Sequence, residues 1–127
     1  MIPELEFDLP VGDGYFESKV HIVDGKFHRV DGPAIVDYNG NQFWYQYGKR
    51  HRKDGPAVIW SNGTKHWYQY GKRHREDGPA IMEQDGSQEY YLNNHWLNIT
   101  NDFQLKIEVQ KMRRGRKVTN EKRWTLL

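Results

Sequence analysis

The sequence predicts an all-β protein: a single-domain antiparallel β-meander of tandem 23-residue hairpin units, ending in a C-terminal strand hairpin or short helix. Two observations predict it. Asp-Gly-Pro-Ala recurs at Asp31, Asp54 and Asp77, at the same 23-residue offset each time. Between these landmarks Asn39-Gly40, Asn62-Gly63 and Asp85-Gly86 sit between apolar runs, the strongest short-range hairpin signal. Repetition at a fixed offset means stacked supersecondary units, each too small to bury its apolar face alone.

Residues 1–24 form an N-terminal cap. Within it 15–23 reads as a degenerate strand, because His21 to Asp24 align with Trp44 to Tyr47. The units are 25–47, 48–70 and 71–93. The first two share 14 of 23 residues and the second and third share 11 of 23. In the first unit a strand near 33–38 leads to a type I′ turn at Asn39-Gly40 and a strand near 42–47. The Gly-Lys-x-His-Arg-x-Asp-Gly stretch then links to the next hairpin, with its proline opening the following strand. Two strands per unit plus the flanks predict roughly eight strands. Residues 94–127 form a C-terminal cap and basic tail. There Phe103, Leu105, Ile107 and Val109 alternate with polar residues, which favours a strand, with Gly115 as a hairpin turn. A helix N-capped by Thr100 is the alternative.

Composition bounds the function. The 127 residues hold no cysteine, so disulfides and thiolate metal sites are excluded and a reducing compartment is expected. Acidic residues stand where a signal peptide needs basic ones, and no stretch approaches the length of an apolar membrane span. A cytoplasmic location and no membrane contact are therefore expected. The net charge of +2 hides an asymmetry: residues 1–105 sum to −4 and residues 106–127 to +6.

The motif Trp-Tyr-x-x-Gly-Lys-x-His-Arg-x-Asp-Gly-Pro-Ala, seen whole at 67–80, resembles the MORN-type repeat in the variant form common in tailed phages and large DNA viruses. The resemblance covers 25–93 and departs from the standard motif, with His-Arg-x-Asp-Gly-Pro where His-Gly-x-Gly is usual. It implies a binding scaffold that contacts proteins and sometimes lipids. It also implies a viral protein, in which case the compartment is the host cytoplasm.

Three residue sets carry chemistry. His28, His51 and His74 recur with Arg29, Arg52, Arg75 and the three aspartates. Equivalent residues lie two strands apart, about 10 Å, whereas zinc ligands sit about 2 Å from the metal. The set reads as a structural ladder. Each Asp is expected to brace its Gly-Pro turn, and each Arg to reach an Asp or carbonyls of the neighbouring unit. The second set is aromatic. Strand alternation puts Trp44, Trp67 and Tyr90 on one face and Tyr45, Tyr47, Tyr68, Tyr70 and Tyr91 on the other, a candidate surface for protein contact or base stacking. Trp60 joins it, because its counterparts Asp37 and Glu83 show that the repeat does not need a tryptophan there. The third set is the basic cluster Lys111, Arg113, Arg114, Arg116 and Lys117, a candidate anion site. No phosphate loop, serine elbow or His-Glu-x-x-His is present, so no catalytic residue, metal or cofactor is expected. The expected function is non-catalytic binding, with a host protein as partner and inhibition of that host factor as one outcome. Nucleic acid or nucleotide is the alternative ligand, and the open sheet edges offer a route to a homodimer.

Overall fold

A computed structural model describes residues 4–11 and 16–115, with side chains from Ser18 onward. The chain forms β1 (Glu4–Val11), β2 (Phe16–Val23), β3 (Lys26–Phe27), β4 (Ile35–Val36), β5 (Gln42–Phe43), β6 (Tyr45–Gln46) and β7 (Lys49–Arg50). It continues through β8 (Val58–Ile59), β9 (Lys65–His66), β10 (Tyr68–Gln69), β11 (Lys72–Arg73), β12 (Ile81–Met82), β13 (Gln88–Leu92) and β14 (His95–Leu97), then α1 (Asp102–Arg113). The all-β meander is thus observed. A ten-stranded antiparallel sheet runs β1-β2-β4-β5-β8-β9-β12-β13-β14, with β3 paired to β2, while β6-β7 and β10-β11 form two-stranded ladders. This exceeds the eight strands expected, because each unit holds two hairpins.

The second hairpin is the stretch that reads as a linker in the sequence. After β5 the chain passes through Trp44 into β6, turns at Tyr47-Gly48, and returns as β7. Tyr47 (φ 51°) and Gly48 (φ 80°) both occupy the left-handed region, as do Tyr70-Gly71 (52°, 80°), Asp24-Gly25 (52°, 73°) and Asn93-Asn94 (49°, 70°). Two successive positive φ angles define the type I′ turn. The turns at Asn39-Gly40, Asn62-Gly63 and Asp85-Gly86 are of another kind, because only the glycine has positive φ. The Gly40 N–H donates to the Asp37 carbonyl and the Asp37 N–H to the Asn41 carbonyl, a type I turn closed by a glycine bulge. The Asp37 side chain accepts from the Asn39 and Asn41 N–H groups and so holds that turn.

The Asp-Gly-Pro segment is an excursion from a rising strand. Residues 49–51 run along β6, the chain leaves at Arg52, and it rejoins at Ala57, whose carbonyl accepts from the Trp44 N–H at 2.7 Å. In the second and third units the excursion folds back over a tryptophan. The Arg52 guanidinium lies 4.0 Å from the Trp44 ring centroid, and Arg75 repeats this over Trp67 at 4.0 Å. Arg52 Nη1 donates to the Pro56 carbonyl at 3.1 Å, and Nε faces Asp54 at 3.6 Å. Arg75 does the same with Pro79 and Asp77, and Arg29 with Pro33 and Asp31. Each arginine side chain therefore bonds within its own loop, and Arg52 and Arg75 touch the neighbouring unit through the ring rather than through its carbonyls. Each guanidinium also lies close against a glycine of its own loop. A Cβ on Gly55 would stand 2.8 Å from Arg52 Cζ, and one on Gly78 would stand 2.7 Å from Arg75 Cζ.

The C-terminal segment is the helix, capped by Asn101 rather than Thr100. Asn101 Oδ1 accepts from the Gln104 N–H, while Gln104 Oε1 accepts from the Thr100 N–H. Leu105 and Val109, four residues apart, pack with Met112 on Tyr90, Leu92, Leu97 and Ile99. Phe103, read from the period-two pattern as a strand residue, is exposed. The helix occupies the end of the repeat, where the chain offers no fourth Asp-Gly-Pro. Tyr90 stands in the place of Trp44 and Trp67, and its hydroxyl donates to Asp102 Oδ1 at 2.7 Å. Burial first, and that hydrogen bond second, push the Tyr90 phenol up to about 12.

Replacing Gly55 with alanine is expected to lower unfolding free energy by about 1–3 kcal/mol, the usual cost of overpacking. In an Arg52→Ala background the same change is expected to cost less than half as much. Urea unfolding of the four proteins checks this, and an equal cost in both backgrounds would contradict the close approach.

Candidate binding interface

The histidines set how one unit sits on the next. His28 Nδ1 accepts the Tyr47 N–H at 3.1 Å, His51 Nδ1 accepts that of Tyr70 at 3.0 Å, and His74 Nδ1 accepts that of Asn93 at 3.0 Å. Each imidazole thus satisfies the backbone of the turn that joins its unit to the segment that follows, and to do so Nδ1 must carry no proton. His28 and His51 also stack on Tyr47 and Tyr70, with centroids at 4.4 and 4.3 Å. His74 Nε2 lies 2.9 Å from Glu76 Oε2. Burial pushes His51 below the usual histidine range and does the same to His66, where Glu83 pulls the other way and Arg73 and Arg50 reinforce the shift. Burial would raise Glu76, but bonds from His74 and Arg113 overcome it and hold the carboxyl below its usual value. Among the described residues no group of three or more His, Asp or Glu is placed to hold a metal ion.

With these groups turned inward, two kinds of surface remain. The first is a pair of clefts between successive Asp-Gly-Pro excursions. One, of about 460 Å³, is lined by Asp31, Trp44, Gln46, His51, Arg52 and Lys53 among others. The next, of about 780 Å³, repeats the lining with Lys53, Trp67, Gln69, His74, Arg75 and Asp77. The rims carry Asp31, Asp54 and Asp77, whose side chains are 87–89% exposed.

The second is the row of second hairpins. Their registers put Tyr45 opposite Arg50 and Tyr68 opposite Arg73. Arg50 lies 5.3 Å from the Tyr68 ring and Arg73 lies 5.4 Å from that of Tyr91. Phe27 stacks on Tyr45 at 5.5 Å and Trp96 pairs with Tyr91, so aromatic and guanidinium groups alternate across the sheet. At the hairpin tips Tyr47 and Tyr70 are 68% and 69% exposed.

The candidate residues therefore separate. Tyr68 is buried with Trp44, Ala57 and Val58, so the two aromatic sets do not divide cleanly into a buried and an open face. The reason is the break at Trp44 and Trp67, where the pairing passes from the long sheet to the second hairpin. Tyr45 and Tyr91 are half-buried in the Arg-Tyr row, and Tyr47 and Tyr70 stand at the tips. Trp60 is half-buried at the first-hairpin turn of its unit, opposite the end that carries Tyr47 and Tyr70, and packs edge-on against Phe43 at 5.4 Å. Lys111 pairs with Glu108, Arg113 bonds to Glu76 at 2.8 Å, and Arg114 is exposed at the helix C-cap. Arg116 and Lys117 lie outside the described residues. Sequence reasoning missed Lys26, Lys49, Lys72, Arg50 and Arg73. The signal was the repeated Tyr-Gln-Tyr-Gly-Lys-Arg itself, which is a hairpin with no acidic residue. No family model, curated protein or solved structure matches the chain.

Within the ladder, His51 has a pH signature. A depressed folded-state pKa gives stability that is present above the unfolded value near 6.5 and is lost as pH falls through the folded one. The urea midpoint is expected to hold above about pH 7 and to fall as pH drops below about 6.5. His51→Asn should flatten that fall and cost about 1 kcal/mol at pH 7.5 through the weakened bond to Tyr70. An unchanged slope would contradict the assignment.

Proposed function

We propose that this chain is a non-catalytic binding module that holds a protein partner against its repeat sheet. The observation that carries this reading is the duplicated cleft. Two recesses with the same Trp, Gln, His, Arg and Asp lining stand one unit apart on a scaffold whose histidines and arginines are engaged in its own ladder. A partner that reaches both recesses gains from their linkage, because the second contact is intramolecular once the first is made. The resemblance to MORN-type repeats of phages and large DNA viruses supports a viral protein directed at a host protein, and inhibition of that factor follows if the covered surface is its working one. No described helix is long and apolar enough to cross a membrane.

The test is affinity capture from the native host with the full chain, with and without nuclease, beside a Lys53→Glu, Gln69→Arg variant. Both positions line the clefts and neither takes part in the ladder. The proposal expects a specific protein, recovered equally after nuclease and lost with the variant. Equal recovery with the variant would remove the clefts from the account.

A further inference from the structure

The two ends of the strands carry opposite chemistry. The first-hairpin tips hold Asp37 in the first unit and Glu83 and Asp85 in the third, while that of the second, at Trp60 to Thr64, holds no acid. The second-hairpin tips point the other way along the strands; residues 44–53 and 67–75, which build two of them, contain no Asp or Glu, and the turn before Lys26 carries Asp24. There an exposed lysine follows the turn glycine in every unit, at Lys26, Lys49 and Lys72. Lys26 and Lys49 lay their aliphatic stems over Gly48 and Gly71 of the next turn. The lysines therefore form one row, with successive members about 10 Å apart.

Tyr47 and Tyr70 stand in the same row. Each ring leans on a histidine, at interplanar angles of 43° and 41°, and is 68% and 69% exposed. A ring held in this way is pre-oriented and loses little freedom when a flat ligand stacks on it. The basic end of α1 joins the row as well. Asn93, at the third tip, donates to Met112 Sδ at 3.4 Å, which seats the helix C-terminus and exposed Arg114 beside that tip. The aromatic set and the basic cluster, separate in the sequence, meet at one edge.

We propose that this edge binds single-stranded nucleic acid, with unpaired bases stacked on Tyr47 and Tyr70 and backbone phosphates against the lysine row and the helix end. Cations in a line match a polyanion, and two open rings match bases that are free of a duplex. This reading is independent of the protein-binding one, because Tyr47, Tyr70, Lys49 and Lys72 line neither cleft.

The test is fluorescence anisotropy of the full chain with labelled oligothymidine, its duplex with oligoadenine, and labelled heparin, which carries charge without bases. The informative variant is Tyr47→Asn, Tyr70→Asn. The third unit already places Asn93 at this position with φ 49° and the same bond to histidine, so the fold accepts asparagine there. The proposal expects saturable oligothymidine binding that weakens as salt rises. It expects the double variant to lose about tenfold or more in oligothymidine affinity, with heparin binding unchanged. Lys49→Ala, Lys72→Ala should weaken both ligands. Absence of binding at low salt, duplex bound as tightly as single strand, or oligothymidine affinity unmoved by the tyrosine changes would each overturn it.

Discussion

The structure depends on a guanidinium held between an indole ring and a glycine. A single-layer sheet has no second layer to bury its large side chains, so another part of the chain must cover them. Here the cover is the Asp-Gly-Pro excursion, which carries Arg52 onto Trp44 and Arg75 onto Trp67. The aspartate and the proline carbonyl fix the fork, and the absent Cβ lets the loop close on it. Stacking of this kind contributes about 0.5–2 kcal/mol per pair, rising as water is excluded. Arginine suits the position because its planar group can stack and bond at its edge together, which lysine cannot do.

The ladder of histidines complements the stack. Arginines cover each unit, and histidines set the distance and register to the next by accepting a turn N–H that would otherwise lie unpaired. The device stops where no unit follows. Leu97 replaces the histidine, Tyr90 replaces the tryptophan, and α1 takes the place of a fourth excursion. Leu97 and Tyr90 keep burial at the end; Leu97 withdraws the acceptor that a further unit would need, and Tyr90 turns its hydroxyl to Asp102 of α1.

The repeat was legible in the sequence because its markers, Asp-Gly-Pro and the paired turn glycines, are constrained by geometry. The structural role of His51, Arg52 and Asp54 followed from spacing alone. Turn types were misassigned for a physical reason. Asn-Gly favours positive φ at both positions, yet here the asparagines serve a type I turn and bulge, while Tyr47 and Tyr70 take the strained angle with a histidine bond to hold them. Tyrosine is a poor local signal for such a turn, so the second hairpin was read as a linker, and Lys49, Arg50 and their equivalents went unnoticed. The helix at Asp102 was obscured by an accidental alternation. Of the four alternating apolar residues, Leu105 and Val109 face the core, Ile107 is half-buried and Phe103 is exposed. The meeting of the basic end with the tyrosine tips is tertiary, created by Met112 at Asn93, and no local pattern announces it.

A double-mutant cycle tests the central interaction most directly. Trp44→Leu and Arg52→Met each remove one partner while keeping apolar bulk, and urea unfolding of the four proteins yields the coupling. A stack on which the layer depends predicts a coupling of about 1 kcal/mol or more. Effects that add to within about 0.3 kcal/mol would show that tryptophan and arginine stabilise the sheet separately, and would contradict the account.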